Sequence, residues 1–167
     1  MVEKDTVIKE NVKFSGVGNF KEAYNHAHDL LSEEDYSITE NTYSEKVSGN
    51  GKDIDIVWSC SKKLTDYFKS SIAVRWKIIG MSDVEGEIDG KKVRMNKFAD
   101  FKIDIKGVLE KDYSGKWEGS AIHKFFKEIY HKYVIPGRTE EMEEKVENIV
   151  KGFKEEMKSF LELTAKR

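Results

Sequence analysis

The C-terminal stretch Thr139–Ala165, TEEMEEKVENIVKGFKEEMKSFLELTA, has the strongest periodic pattern in the 167-residue chain. Its apolar residues follow one another at intervals of 4, 3, 1, 3, 4, 3 and 1 positions. They are Met142, Val146, Ile149, Val150, Phe153, Met157, Phe160 and Leu161. This spacing places them on one face of a helix, and Thr139 can cap its first turn. A helix of roughly 26 residues is about 39 Å long, so the pattern predicts a long helix that needs an extended apolar surface to pack against.

The middle of the chain has the period of a β-strand, because apolar and polar residues alternate there. The apolar members are Ile54, Ile56, Trp58, Cys60, Phe68, Ile72, Val74, Trp76, Ile78, Phe101, Ile103, Ile105 and Leu109. Tyr36–Val47 precedes them as a further strand, ended by the turn signal Gly49-Asn50-Gly51. Asp89-Gly90 marks a second hairpin, between Val84–Ile88 and Lys92–Met95. The pattern predicts five successive strands in an antiparallel meander, with one face buried and the other in water.

A strand and a helix are predicted before this meander. Thr6–Ser15 is an extended segment that runs into Gly16-Val17-Gly18, a sequence typical of a strand end. Asn19 and Glu22 have the spacing of a capping box, and apolar residues then recur every three or four positions as far as Leu31. The sequence therefore predicts one amphipathic helix of about four turns after the first strand.

The order strand, helix, meander and long C-terminal helix resembles the helix-grip fold of the Bet v 1-like, START-related superfamily. The resemblance covers essentially the whole chain and depends on element order, since no diagnostic motif is matched. It implies one helix-grip-like domain over residues 1–167, of the α+β class, with a curved antiparallel sheet wrapped around the C-terminal helix. The chain departs from the superfamily in two ways: it has a single first helix, and Ser120–Val134 predicts an extra helix that Pro136-Gly137 must stop.

Charge and cysteine content exclude several classes of protein. Lysine and arginine number 29 against 31 acidic residues, a net charge of −2, and the two signs are interleaved. This distribution lacks the single-sign field of most nucleic-acid-binding proteins, so no nucleic acid partner is expected. Cys60 is the only cysteine, which favours a reducing, cytoplasmic location. Because no run of about 18 apolar residues occurs and Met1–Asp5 lacks the pattern of a signal peptide, no membrane span is expected.

The histidines do not have the spacing of a metal site. His26 and His28 are two positions apart on a helix and point in directions about 200° apart, so we interpret both as surface residues. Glu128 and His131 have one-face spacing but no second such pair, and His123 lies at the edge of an apolar stripe. The sequence therefore predicts no metal and no cofactor.

Three other features could take part in catalysis or ligand binding, but each also has a simpler structural interpretation. Cys60 falls on the apolar face of its strand, and no motif positions a base beside it. The turn before Asn19 lacks the third glycine and the lysine of a phosphate-binding loop. Arg75 lies on the face opposite Trp76, which indicates a solvated outer surface. No catalytic residue is predicted.

The helix-grip resemblance implies a hydrophobic cavity between the sheet and the long helix, which in that superfamily holds lipids, sterols, polyketides and other apolar ligands. The residues expected to line it are Trp58, Trp76, Phe101 and Ile103 of the sheet, and Met142, Val146, Phe153 and Met157 of the helix. We therefore expect the protein to bind or carry a small hydrophobic ligand.

Two alternatives remain open at this stage. The groove could admit an apolar segment of another protein, as in a co-chaperone-like or regulatory module. The superfamily also includes cyclases and hydrolases, although no catalytic motif is present here. An enclosed apolar void would favour the carrier, a filled core the interaction module, and an inward-facing polar cluster the enzyme.

Overall fold

The computed structural model describes residues 3–49, 51–113, 121–129, 132 and 135–165. Its elements in chain order are β1 (Glu3–Gly18), α1 (Phe20–Glu33), β2 (Ser37–Ser48), β3 (Gly51–Lys63), β4 (Phe68–Ile88), β5 (Lys91–Lys111), α2 (Ala121–Ile129) and α3 (Ile135–Ala165). The α+β class and the order of elements predicted from the sequence are confirmed.

The described strands form one antiparallel sheet in the order β1-β5-β4-β3-β2. Strands β2 to β5 pair in succession, as a meander does, and β1 pairs with the outer side of β5. The sheet is therefore open, with β1 at one edge and β2 at the other, and α3 packs on one of its faces.

Four strands follow α1, not the five expected. The segments expected to be separate strands on either side of residue 80 belong to one 21-residue strand, β4, and β5 is equally long. Gly80 lies inside β4 at φ +63, beside a register shift against β3. Its amide donates a hydrogen bond to Oδ1 of Asp53 at 3.0 Å, and a Cβ there would lie 2.9 Å from Cβ of Ala99. Glycine therefore lets the strand continue where the alternation of side chains is interrupted.

The first strand also continues through glycines that were expected to end it. Gly16 has φ +126, and the pairing with β5 shifts by one residue between Phe14 and Gly16. This β-bulge carries β1 on to Gly18, where α1 begins after one residue. The expected end at Ser15 is therefore three residues too early.

Helix α1 begins as its capping sequence predicts. Oδ1 of Asn19 accepts a hydrogen bond from the amide of Glu22 at 3.1 Å, which satisfies one of the amides left free in the first turn. The amide of Phe20 donates to Oδ1 of Asn96 on β5 at 3.0 Å, so the start of α1 is also attached to the sheet. The helix buries Ala23, Ala27 and Leu31.

Helix α3 places the predicted apolar stripe against the sheet. Six of its eight residues are buried, and Ile149 and Phe160 are partly buried at the border of the core. The buried ones are Met142, Val146, Val150, Phe153, Met157 and Leu161. The helix begins at Ile135, four residues before the expected Thr139, because proline is tolerated in a first turn whose amides need no partner. Pro136-Gly137 therefore lies in the first turn of α3, where the sequence predicted a stop before that helix.

Candidate functional site

All eight residues expected to line a ligand cavity are buried, but they fall into two groups. The larger hydrophobic cluster contains Trp58, Trp76, Phe101, Ile103, Phe153 and Met157. A smaller cluster contains Met142 and Val146, together with Tyr67, Phe68 and Leu109. The structure therefore divides the candidate residues between two parts of the interface between sheet and helix.

The part around Val146 is closely packed. A Cβ built on Gly107 of β5 would lie 2.9 Å from Cγ1 of Val146, 2.9 Å from Cγ2 of Val150 and 3.0 Å from Cγ2 of Ile8. Only glycine at this position lets α3 approach the sheet so closely. The helix is therefore held directly against β5 here.

The other part contains an aromatic cluster formed by Phe20, Tyr24, Trp58, Trp76 and Phe101. The Trp58 and Trp76 rings are 5.3 Å apart between centroids, and Tyr24 lies 5.0 Å from Trp58 and 5.9 Å from Trp76. Phe20 meets Trp76 at 6.2 Å, and Phe101 meets it at 5.9 Å. Most of these rings meet edge to face, a geometry that stabilises each pair by about 0.5–1.5 kcal/mol beyond burial.

The two tryptophans carry buried hydrogen-bond donors. Both side chains are fully buried, and Nε1 of Trp58 and Nε1 of Trp76 have no hydrogen-bond partner among the described residues. A buried donor left without an acceptor costs about 1–3 kcal/mol. Two neighbouring rings therefore each have an N–H group that could donate a hydrogen bond to an acceptor from outside the chain.

Tyr24 forms the polar edge of the aromatic cluster. Its hydroxyl donates a hydrogen bond to Oε1 of Glu40 on β2 at 2.7 Å. Burial, and then this contact with Glu40, raise the pKa of Tyr24 from its ordinary 10.0 to about 12. The indole N–H of Trp58, which faces the hydroxyl without reaching hydrogen-bond geometry, acts in the opposite direction because it favours the ionised form. The hydroxyl therefore remains protonated at neutral pH and attaches α1 to β2.

The sequence did not identify the α1 side of this cluster. Phe20 and Tyr24 are among the apolar residues that recur every three or four positions in the predicted first helix, but no residue of that helix was expected at the site. Their four-residue spacing was the available signal, because it aims both rings at one place on the sheet.

The two α1 histidines point in different directions, as their spacing requires. His26 was interpreted as a surface residue, and it is partly exposed, but its ring also stacks on Phe160 of α3, 4.5 Å between centroids and 17° between planes. His28 is exposed, with Nδ1 3.4 Å from Oγ of Ser32 and its ring edge-on to Trp58 at 6.0 Å. No group of three potential metal ligands occurs in the described ranges.

Three interpretations made from the sequence concern residues or side chains that the structure does not describe. They concern the side chain of His123, the pair of Glu128 with His131, and the turn centred on Asn50. The described part of the extra helix is α2, Ala121–Ile129, within the predicted Ser120–Val134.

Cys60 and Arg75 have the positions that the strand pattern predicts. Cys60 is buried in the larger cluster, and burial raises the pKa of its thiol to about 12, so the reactive thiolate is disfavoured. Arg75 lies on the outer face, where Nη2 is 3.0 Å from Oδ2 of Asp55 and Nε is 3.2 Å from Oδ1. The guanidinium holds the pKa of Asp55 below its usual range.

A groove of about 510 Å³ runs along the surface between α1 and α3. Its apolar lining comes from Leu30, Leu31, Ile149 and Phe153, with Gly152 between the last two. The polar lining consists of Asn148 and the carboxylates of Glu33, Glu34, Glu155 and Glu156. We call this surface the α1/α3 groove.

Comparisons with known proteins add no relative: no family model, curated protein or solved structure matches this chain. The described architecture, an antiparallel sheet with a C-terminal helix against it, is compatible with the helix-grip fold. Among the described helices, none is both long enough and apolar enough to cross a membrane.

Proposed function

We propose that the protein is a member of the helix-grip superfamily and binds a small apolar molecule carrying a hydrogen-bond acceptor. The binding site is the aromatic cluster between the sheet and α1. The observation that supports this proposal is the pair of fully buried indole N–H groups, in Trp58 and Trp76, that have no partner in the described residues. A ligand oxygen accepting from either group would offset the cost of its burial.

The surroundings favour a neutral ligand. The buried residues among those described include no lysine, arginine or histidine. A ligand carboxylate would therefore be buried without a counter-charge, which costs far more than burying a ketone, ester or hydroxyl oxygen. The rest of the ligand would contact the rings of Phe20, Tyr24 and Phe101, whose surfaces are apolar.

Helix α1 is the element that must move to admit the ligand. Phe20 and Tyr24 are its contributions to the aromatic cluster, and they contact Trp76 directly. A ligand that replaces these contacts would displace one or both rings. The hydrogen bond from Tyr24 to Glu40 and the stacking of His26 on Phe160 would then limit how far α1 moves.

Titration with Nile red, a neutral apolar dye with one carbonyl oxygen, tests the proposal. We expect saturable binding with a blue shift of the dye and quenching of tryptophan emission. Trp76→Phe keeps an apolar ring but removes the donor, so it should weaken binding by about three- to tenfold, the worth of one hydrogen bond. Trp58→Phe should behave in the same way.

Two controls make the titration specific. Val47→Ser removes an exposed apolar side chain of β2 outside the aromatic cluster and should leave the affinity unchanged. Phe125→Ser removes an exposed apolar ring of α2 and tests whether the dye binds there instead. Wild-type protein that binds no Nile red, or Trp58→Phe and Trp76→Phe proteins that both bind it as wild type does, would contradict the proposal.

A second candidate function, binding to another protein, is supported by a separate observation. Helix α2 exposes the large apolar side chains of Ile122, Phe125, Phe126 and Ile129 to solvent. Exposed apolar patches of this kind are typical of interaction surfaces.

A further inference from the structure

Helix α2 has the apolar pattern of a helix that binds in a groove. Ile122, Phe125, Phe126 and Ile129 stand at positions i, i+3, i+4 and i+7, which places them on one face. They are 68 %, 59 %, 52 % and 39 % exposed, so this face is not covered by the described part of the chain. A stripe of two phenylalanines and two isoleucines in water is unfavourable until another surface covers it.

The α1/α3 groove has the size that this stripe requires. Along α3 its lining extends from Asn148 to Glu156, a rise of about 12 Å at 1.5 Å per residue. The stripe from Ile122 to Ile129 rises about 10.5 Å on the same basis.

The charges of the two surfaces are complementary. The described lining of the groove includes four glutamates and no basic residue. Residues 121–132, by contrast, contain three lysines and one glutamate, so this stretch has a net charge of 3 − 1 = +2. Lys124 and Lys132 are exposed on or beside α2. Carboxylates around an apolar floor would therefore meet basic residues around an apolar stripe.

We propose that α2 of a second copy of this chain docks in the α1/α3 groove. When α2 of each copy binds in the groove of the other copy, the two contacts are identical and form a closed two-fold dimer. The same chain cannot supply its own α2 in the present arrangement, because the stripe is exposed. Each contact is small, and interfaces that bury less than about 1,200 Å² are weak, so the dimer forms in the micromolar range.

Sedimentation velocity of the full chain from about 1 to 300 µM tests the proposal, since this range covers such weak association. Wild-type protein should change from monomer to dimer. The groove variant, Glu155→Lys with Glu156→Lys, and the helix variant, Lys124→Glu with Lys132→Glu, should each dimerise at least about tenfold more weakly, because like charges then face each other.

An equimolar mixture of the two variants is the decisive sample. The groove with reversed charge in one chain then faces the helix with reversed charge in the other chain. The second contact of the same dimer has wild-type charges on both sides. The mixture should dimerise as wild-type protein does. Glu140→Lys with Glu144→Lys is the matched control: it makes the same charge change at exposed positions of α3 outside the groove and should leave dimerisation intact.

Gly152→Trp supplies an independent variant. A Cβ at residue 152 would meet no atom within 4 Å, so a side chain can leave the backbone there without a clash, and Gly152 itself lines the groove that the indole is meant to occupy. This protein should remain monomeric across the concentration range and keep the wild-type unfolding midpoint to within a few degrees.

Several outcomes would overturn the proposal. Wild-type protein that stays monomeric at every concentration would do so, as would a groove or helix variant that dimerises normally. A mixture that fails to recover, or assembly beyond a dimer, would exclude the reciprocal contact. Monomeric protein that binds vesicles of phosphatidylcholine with 30 % phosphatidylserine, but loses this in the helix variant, would assign α2 to a membrane surface instead.

Discussion

Gly107 of β5 lies directly beneath Val146 of α3, where a Cβ on the glycine would be 2.9 Å from Cγ1 of the valine. The helix and the sheet are in direct contact at this point, with no side chain of β5 between them. The aromatic cluster fills the space between the sheet and α1. Close packing at one place and bulky rings at the other distinguish the two parts of the core, and the second holds the buried indole N–H groups of Trp58 and Trp76.

Gly107→Ala is expected to destabilise the protein. Replacing a strand glycine by alanine stabilises a protein by about 0.5–1 kcal/mol when space is available. Here the methyl group would meet Val146, Val150 and Ile8 at 2.9–3.0 Å, and overpacking of a core costs about 1–3 kcal/mol. The overpacking is the larger effect, so urea unfolding should show a net loss.

Gly152→Ala is the matched control for this substitution. A Cβ there meets nothing within 4 Å, and the residue is exposed on α3. The free energy of unfolding should rise by about 0.5–1 kcal/mol through helix propensity. Equal effects at Gly107 and Gly152 would show that α3 does not contact β5 closely.

Phe153→Ala is expected to cost about 3–5 kcal/mol, because it deletes a buried aromatic side chain of α3. Phe125→Ala removes the same side chain from an exposed position of α2 and should change stability by less than about 0.5 kcal/mol in monomeric protein. Urea melts of both proteins at low micromolar concentration measure the difference. A loss below about 1 kcal/mol for Phe153→Ala would place α3 outside the core.

The sequence predicted the helices and strands better than it predicted the irregular positions within them. Apolar spacing alone identified the face of α3, because a helix buries the same face whatever it packs against. The continuity of β4 could not be predicted in this way. Gly80 interrupts the alternation, yet β4 keeps its pairing with β5 beyond it, from Ser82 opposite Lys97 to Ile88 opposite Lys91.

Burial of the eight candidate site residues followed from alternation in the strands and from helical spacing in α3, but their grouping did not. Alternation shows which face a residue is on, but not which residue lies opposite it across the core. The partition of Val146 from Phe153 therefore depends on where Gly107 lets α3 touch the sheet. The contact of His26 with Phe160 was missed for the same reason. A cytoplasmic location, expected from Cys60, stays a prediction.

Ionisation of the Tyr24 hydroxyl should lower the free energy of unfolding at alkaline pH. Its pKa is raised from 10.0 to about 12 by burial and by Glu40, so the folded state holds the phenolic proton more tightly than the unfolded state. This contribution is fully present below pH 10 and is lost as the pH rises towards 12. Tyr24→Phe, which cannot ionise, should show a shallower fall in unfolding midpoint between pH 9 and pH 11.

Measurement of the urea midpoint at several pH values compares the two proteins. Glu40→Gln is a second variant: it removes the charged acceptor of the Tyr24 hydroxyl, so it should also make the alkaline fall shallower than in wild-type protein. If wild-type and Tyr24→Phe proteins show the same pH profile, the Tyr24 hydroxyl is neither buried nor held by Glu40 in solution.

Cys60 should react slowly with thiol reagents while the protein is folded. Burial raises the pKa of its thiol from 9.0 to about 12, so both access and thiolate formation are restricted in the native state. At pH 8, labelling by 5,5′-dithiobis(2-nitrobenzoic acid) should be at least about a hundredfold slower in buffer than in denaturing urea, because the reaction waits for opening of the fold. Cys60→Ser with Ser59→Cys moves the thiol by one residue to an exposed position of the same strand and should label rapidly without urea. Rapid labelling of native wild-type protein would show that β3 does not direct residue 60 into the core.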